Sequence, residues 1–221
     1  MDGRSRRTRG GLDSPALPQD LAPSALLDGE LVDDALVERR FLDGGNVNDA
    51  TIRAITLDAV RLRRFGMQRA RLRHLRVQDA RFDLCDLSSG DWEKASLTRV
   101  EMVGCKLLGL HLDDAVLHDV LIQDCQAPYA TFVSARCRAV RFATCNLAQT
   151  SFSDADLSGV VFLNCDLSGA DMMGAKLVGA DLRGSKLEGM RIGPKEIQGL
   201  ILDLGQAAIL LRGLGATVVD G

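Results

Sequence analysis

Uncharged residues return at every fifth position over most of this chain. All thirty positions from 47 to 192 in steps of five are uncharged, and only Ala127 and Cys137 among them are small. The positions two residues earlier, 50 to 190, are also uncharged, and 24 of these 29 are Ala, Cys, Gly, Ser, Thr or Val. A period of five fits neither the 3.6-residue period of a helix nor the 2-residue period of a strand. We therefore predict a backbone that turns in every repeat, with two side chains inside and three outside.

The cysteines add a second period of twenty residues. Five of the six lie two residues before a central position, and Phe132 with Phe152 and Phe142 with Phe162 share the spacing. These five are Cys85, Cys105, Cys125, Cys145 and Cys165. Four repeats should therefore make one coil, with coils stacked about 4.8 Å apart and the thiols in one interior column. An in-line column cannot surround a tetrahedral metal ion, so we interpret these thiols as core packing and predict no cofactor.

Several repeats carry a recognisable signature. Residues 155–159, 170–174 and 180–184 read Ala-Asp-Leu-Ser-Gly, Ala-Asp-Met-Met-Gly and Ala-Asp-Leu-Arg-Gly. They resemble the A-D/N-L-x-x signature of the pentapeptide-repeat family, clearly over 145–189 and weakly before residue 85. The resemblance implies an all-β solenoid, a right-handed quadrilateral parallel β-helix. Thirty repeats at four to a coil give about 7–8 coils, and the residues after 192 predict a short α-helical C-terminal cap. It also implies one function hypothesis, because some members are quinolone-resistance proteins that bind DNA gyrase by imitating duplex DNA.

The pattern divides the chain into four segments. Residues 1–25 are polar and are predicted to be a disordered arm, and residues 26–46 form either a short capping helix or an opening coil. The β-helix is predicted over 47–192. Residues 193–221 should form a C-terminal helical cap, because Gly193-Pro194 suits a helix start and Asp203 with Gln206 resembles a capping box. A terminal strand is expected over 216–219.

The C-terminal segment is more apolar than an exposed helix should be. An open β-helix end exposes core and unpaired backbone, so a cap is expected there, and the family resemblance adds a homodimer through this end. Both alternatives stay open. The candidate cap or dimer residues are Ile197, Leu200, Ile201, Ile209, Leu210 and Leu214.

The sequence favours a cytoplasmic protein that is not an enzyme. Arg4, Arg6, Arg7 and Arg9 are not followed by the apolar region of a signal peptide, and no apolar run is long enough to span a membrane. The three histidines lie in outward columns, and no phosphate loop, CxxC pair or HExxH motif occurs. A rod without loop insertions also offers no concave pocket for catalytic groups.

The outward columns hold the candidate binding residues. Residues 41–79 carry eight Arg and four acids, whereas residues 80–192 carry eleven basic and fifteen acidic residues. The densest acidic patch is expected within one coil, and Tyr129, after Ala127 and Pro128, is an exposed aromatic residue at the one irregular repeat. The candidate surface comprises Asp113, Asp114, Asp119, Asp124, Tyr129, Arg61, Arg64, Arg69, Arg71, Arg73 and Arg76.

Two classes of function follow from this surface. The broader hypothesis is a scaffold or interaction rod for another cytosolic protein. That protein would bind the arginine-rich coils of residues 41–79, called the arginine coils below, or Tyr129. The alternative, which the family resemblance implies, is a DNA-mimicking binder of a type II topoisomerase, DNA gyrase, that confers protection from or modulation by quinolone-like inhibitors. Direct nucleic-acid binding by the arginines, Arg63 included, is disfavoured by the overall charge of −3.

Overall fold

A computed structural model describes residues 11–24 and 31–219 of the chain. The predicted right-handed, four-sided parallel β-helix is confirmed, with about seven coils and a short C-terminal helix. The elements are β1 (Pro23–Ser24), β2 (Leu36–Glu38), β3 (Phe41–Asp43), β4 (Thr51–Arg53), β5 (Thr56–Asp58), β6 (Arg61–Arg63), β7 (Arg71–Arg73), β8 (Arg76–Asp83), β9 (Ser96–Val103), β10 (Val116–Gln123), β11 (Arg136–Ala143), β12 (Val161–Leu163) and α1 (Leu204–Gly213).

Every strand pairing after β1 joins residues twenty positions apart. Val77 pairs with Leu97, Leu97 with Leu117 and Leu117 with Cys137, all in parallel register. We number the four sides of the coil by their central residues. Side 1 contains positions 47 to 187, side 2 contains 52 to 192, side 3 contains 37 to 177 and side 4 contains 42 to 182, each in steps of twenty. The eight-residue strands β8 to β11 cross from side 3 to side 4.

The core is the stack of central and small inward side chains. The five stacked thiols are buried, and Phe142 lies over Phe162 with ring centroids 5.0 Å apart and nearly parallel planes. Trp92 is fully buried and packs 6.1 Å from Phe82, centroid to centroid. The wide indole fits because Gly90 occupies the small inward position beside it, where an added Cβ would lie 3.4 Å from Trp92 Nε1.

The corners of the coil require left-handed backbone. The last residue of most repeats has a positive φ, as at Gly174 (74°), Tyr129 (60°) and Thr144 (55°). L-residues with a Cβ disfavour this conformation, which explains why glycine and aspartate recur at this position. Thr144 is a costly exception, because a β-branched side chain fits the left-handed region poorly.

The N-terminal end differs from the sequence expectation of a disordered arm over residues 1–25. Residues 1–10 and 25–30 lie outside the described residues, but residues 11–24 run along the edge between sides 3 and 4. The Asp13 N–H donates to Asp119 Oδ1 at 3.3 Å, and the Ala16 N–H donates to Asp79 Oδ1 at 2.9 Å. Strand β1 then pairs with β3. Polar composition alone did not reveal that buried carboxylates would hold this arm.

The β-helix begins earlier than position 47. Strands β2 and β3 already follow the twenty-residue register, since Val37 pairs with Leu57 and Leu42 with Leu62. Residues 31–46 therefore form an opening coil, and no helix is present in this part of the described chain.

The C-terminal helix α1 closes the other end. Asp203 Oδ1 accepts from the Gln206 N–H at 2.9 Å, and Gln206 Oε1 accepts from the Asp203 N–H at 3.1 Å, so the predicted capping box is present. The buried Gln206 amide also donates to the carbonyl oxygens of Leu182 and Ser185, and so ties the helix to the last coil. The strand expected over 216–219 does not form, because no neighbouring strand pairs with that segment.

Candidate interaction surfaces

Most of the predicted arginine surface is engaged in ion pairs between coils. Hydrogen bonds from Arg63 and then Arg64 lower the pKa of the Asp43 carboxyl to about 2. Arg69 Nε lies 2.6 Å from Asp49 Oδ1 and lowers the pKa of that carboxyl. Exposed ion pairs of this kind contribute little to folding stability. They matter more for binding, because a paired guanidinium is less available to a partner protein.

The remaining arginines of this group divide into two kinds. Arg61 pairs with Asp83 at 2.8 Å and Arg73 with Asp91 at 3.3 Å. Arg71 and Arg76 are exposed and have no carboxylate within 4 Å among the described residues. The arginine coils are therefore a network of neutralised pairs with two unpaired cations, which the sequence could not distinguish.

The acidic residues do not form one patch. Asp113 lies on side 2 and accepts the Val133 N–H at 2.9 Å. Asp114 lies at the corner after side 2, Asp119 at the corner after side 3 and Asp124 at the corner after side 4. Asp119 accepts from Asp13 and lies 3.6 Å from His118 Nε2. The common coil places these carboxylates around the circumference, so they do not face one partner.

Tyr129 lies in an exposed apolar cluster at the edge between sides 1 and 2. Its side chain is 63% exposed, and that of Leu108 is 46% exposed. The Gly109 N–H donates to the Pro128 carbonyl at 3.0 Å, which stacks Leu108 directly beside Pro128 on the next coil. We call Leu108, Pro128 and Tyr129 the Tyr129 edge. Ala127 underneath is 1% exposed, so the small central residue leaves no opening to solvent.

The predicted cap or dimer residues separate into an inner and an outer group. Leu210 is buried, and Ile197, Leu200 and Ile209 pack against the last coil. Ile201 and Leu214 face outward. The outer face also contains Leu204, which is 91% exposed, and Leu211, which is 46% exposed.

Side 3 carries a shallow depression around Cys137. It has a volume of about 580 Å³ and is lined by Thr98, Val116, Leu117, His118, Arg136, Cys137, Arg138, Asp156 and Ser158. Cys137 occupies the inward central position of its repeat and is 6% exposed. Burial, with a smaller effect from Asp156, raises the pKa of the Cys137 thiol to about 12. This cysteine is therefore a protonated, inert floor.

The described residues contain neither a metal-binding cluster nor a membrane-spanning helix. Over residues 11–24 and 31–219, no group of three His, Cys, Asp or Glu side chains is placed to hold a metal ion. Within the same residues, no helix is long and apolar enough to cross a membrane.

The fold and surfaces define a repeat protein of the parallel β-helix class. The profile described as Pentapeptide repeats (8 copies) matches residues 135–174 and 150–189, and the profile Pentapeptide repeat region matches 75–149. Together they cover more than half of the chain. The chain belongs to the pentapeptide-repeat family.

Solved structures of other family members are similar to this chain. A trypsin-treated variant of QnrB1, a plasmid-mediated fluoroquinolone resistance protein, is 22% identical, with a TM-score of 0.48 over 81% of this chain and 97% of that chain. HetL from the cyanobacterium Nostoc, involved in heterocyst differentiation regulation, is 19% identical, with a TM-score of 0.44 over 80% and 93%. Comparison with curated proteins gave no match.

Proposed function

We propose that this protein is a non-enzymatic interaction module whose rigid β-helix binds another protein through its lateral surface. The observation that carries the proposal is the Tyr129 edge. The central Ala127 is buried at this level, yet a tyrosine and a leucine extend into water on adjacent coils. Exposed aromatic residues with apolar neighbours on a fixed backbone are typical anchors of protein interfaces.

Affinity capture with a matched variant tests this proposal. The L108S/Y129S variant removes both anchors, whereas Q149S removes an exposed side chain one coil below Tyr129. We expect wild-type protein and Q149S to enrich the same partner from the host lysate and L108S/Y129S to lose it. Equal enrichment by all three proteins would contradict a role of the Tyr129 edge.

The DNA-mimicking hypothesis has less support from the surface. Imitation of duplex DNA needs carboxylates in long columns, but the first outward column of side 1 reads Asp86, Lys106, Gln126, Asn146, Asp166 and Lys186. Lys106 and Lys186 lie within 3.9 Å of the aspartates one coil before them. We expect a DNA gyrase supercoiling assay, run with and without a quinolone at micromolar protein, to show neither inhibition nor protection. Either effect would favour the mimic.

A second copy of the chain is the partner we propose for the C-terminal end. Leu204, Leu211 and Leu214 form an apolar outer stripe that a helix exposed to water would not need. Light scattering after size exclusion should give twice the chain mass of 23.8 kDa for the wild type and 23.8 kDa for L204E/L211E. A wild-type monomer at the highest soluble concentration would contradict the dimer.

A further inference from the structure

Arg136 and Arg138 stand apart from the ion-pair network. Along the rod, basic side chains pair with carboxylates of neighbouring coils, as Arg99 does with Asp79, Arg191 with Asp171 and Lys186 with Asp166. Arg136 and Arg138 are both exposed, and neither has a carboxylate within 4 Å among the described residues. They flank Cys137 on strand β11, so both guanidinium groups rise from the same side of the coil.

The neighbours of the two arginines leave them without a partner. Val116 and Asp156 are the register partners of Arg136 on the two adjacent coils. Asp156 accepts from the Ser158 N–H at 3.2 Å and hydroxyl at 2.7 Å through one oxygen, and its other oxygen lies 3.8 Å from Lys176 Nζ. The carboxylate in register with Arg136 is therefore already engaged.

The depression on side 3 gives these cations a shaped environment. Arg136 and Arg138 border it, Cys137 lies at its floor, and Val116, 42% exposed, is an aliphatic contact in the adjacent coil. His118 borders the same depression. Two guanidinium groups around an apolar floor complement two carboxylates around an aliphatic side chain, and guanidinium binds carboxylate in bidentate geometry.

We propose that this depression is a docking site for an acidic segment of a partner protein, with carboxylates on Arg136 and Arg138 and an apolar side chain over Val116 and Cys137. The site is separate from the Tyr129 edge, which lies between sides 1 and 2. The depression can therefore bind an acidic segment when nothing is bound at the Tyr129 edge.

The test uses the full chain and a fluorescent peptide in which two glutamates flank a leucine. The control peptide has glutamines in place of both glutamates. Fluorescence anisotropy at low salt should show binding of the glutamate peptide and at least about tenfold weaker binding of the glutamine peptide. Raised salt should weaken the binding of the glutamate peptide, since its contacts with the arginines are ionic.

Two double variants remove the same charge from different places. R136Q/R138Q should lower the affinity for the glutamate peptide at least about tenfold. R71Q/R76Q, which removes two other unpaired arginines, should leave that affinity within about twofold of the wild type. Unchanged circular dichroism and melting temperature would establish that both variants fold. The proposal is wrong if the two variants lose equal affinity, if R136Q/R138Q binds like the wild type, or if duplex DNA alone binds in an Arg136-dependent manner.

Discussion

Single residues at the corners of the coil carry backbone strain that the core must offset. Thr144 has φ of 55°, and its side chain is exposed at the corner after side 4. We expect T144G to raise the free energy of unfolding by about 1 kcal/mol, because glycine enters the left-handed region without steric cost. Urea denaturation measures the change. The matched variant T131G, at an extended position, should lower stability by about 1 kcal/mol, and destabilisation by T144G would contradict this account.

Carboxylates paired with arginine make stability depend on pH. The pKa of Asp43 is lowered to about 2 by Arg63 and Arg64, so the unfolded chain binds more protons than the folded chain between about pH 2 and pH 4. Folding stability contributed by Asp43 is therefore present above the unfolded pKa and lost as the pH falls through the folded pKa. Urea titrations over this range should show a smaller acid-induced loss for D43N than for the wild type. Parallel curves would exclude a contribution of this carboxyl.

Large interior residues fix the local width of the coil. W92A should lower the free energy of unfolding by about 3–5 kcal/mol, because Trp92 is fully buried beside Gly90 and Phe82 and its removal leaves a cavity. W92F should lower the free energy of unfolding by less than W92A, because the phenylalanine ring fills part of the cavity. It also removes the buried indole N–H, which has no hydrogen-bond partner. Chemical denaturation of both variants distinguishes a core role from a surface role. A loss below about 1 kcal/mol for W92A would show that the coil relaxes around the gap.

At the scale of elements, the C-terminal helix protects the last coil. Leu210 faces the core and Leu211 faces solvent on the same helix. L210A should open the cap and accelerate hydrogen exchange at the Leu182 to Ser185 coil, at a cost of about 2–5 kcal/mol locally. R212A, at an exposed position of the same helix outside the proposed dimer stripe, is the control and should leave exchange unchanged. Equal exchange in the two variants would mean that α1 does not seal the end.

Elements that follow the repeat were predictable, and those that depend on unique contacts were not. The five-residue and twenty-residue periods determined the coil, the thiol column and the stacked phenylalanines. The arm of residues 11–24 was missed because it is held by Asp79 and Asp119, two carboxylates indistinguishable in sequence from other outward residues. Likewise, the unpaired state of Arg136 and Arg138 depends on where Asp156 directs its oxygens, which composition does not specify.

At the scale of the molecule, each coil contacts its neighbours and little else. Removal of residues 146–165, one full coil, should therefore leave the register of the remaining coils intact. A deletion from the same start that is three residues shorter would rotate the inward columns to the outside. Circular dichroism and thermal melting should show a cooperative fold for the first deletion and none for the second. Similar melting of both would contradict a register set by the twenty-residue coil.

The claim that the lateral surface binds a protein is tested most directly by hydrogen exchange on the complex with the captured partner. The account predicts slower exchange at residues 108–111 and 128–131, around the Tyr129 edge. It predicts little change at the strands of sides 3 and 4, which lie away from the bound partner. Loss of this protection in L108S/Y129S would link it to the two anchors. Protection confined to other parts of the rod, or no protection at saturating partner, would contradict the proposed function.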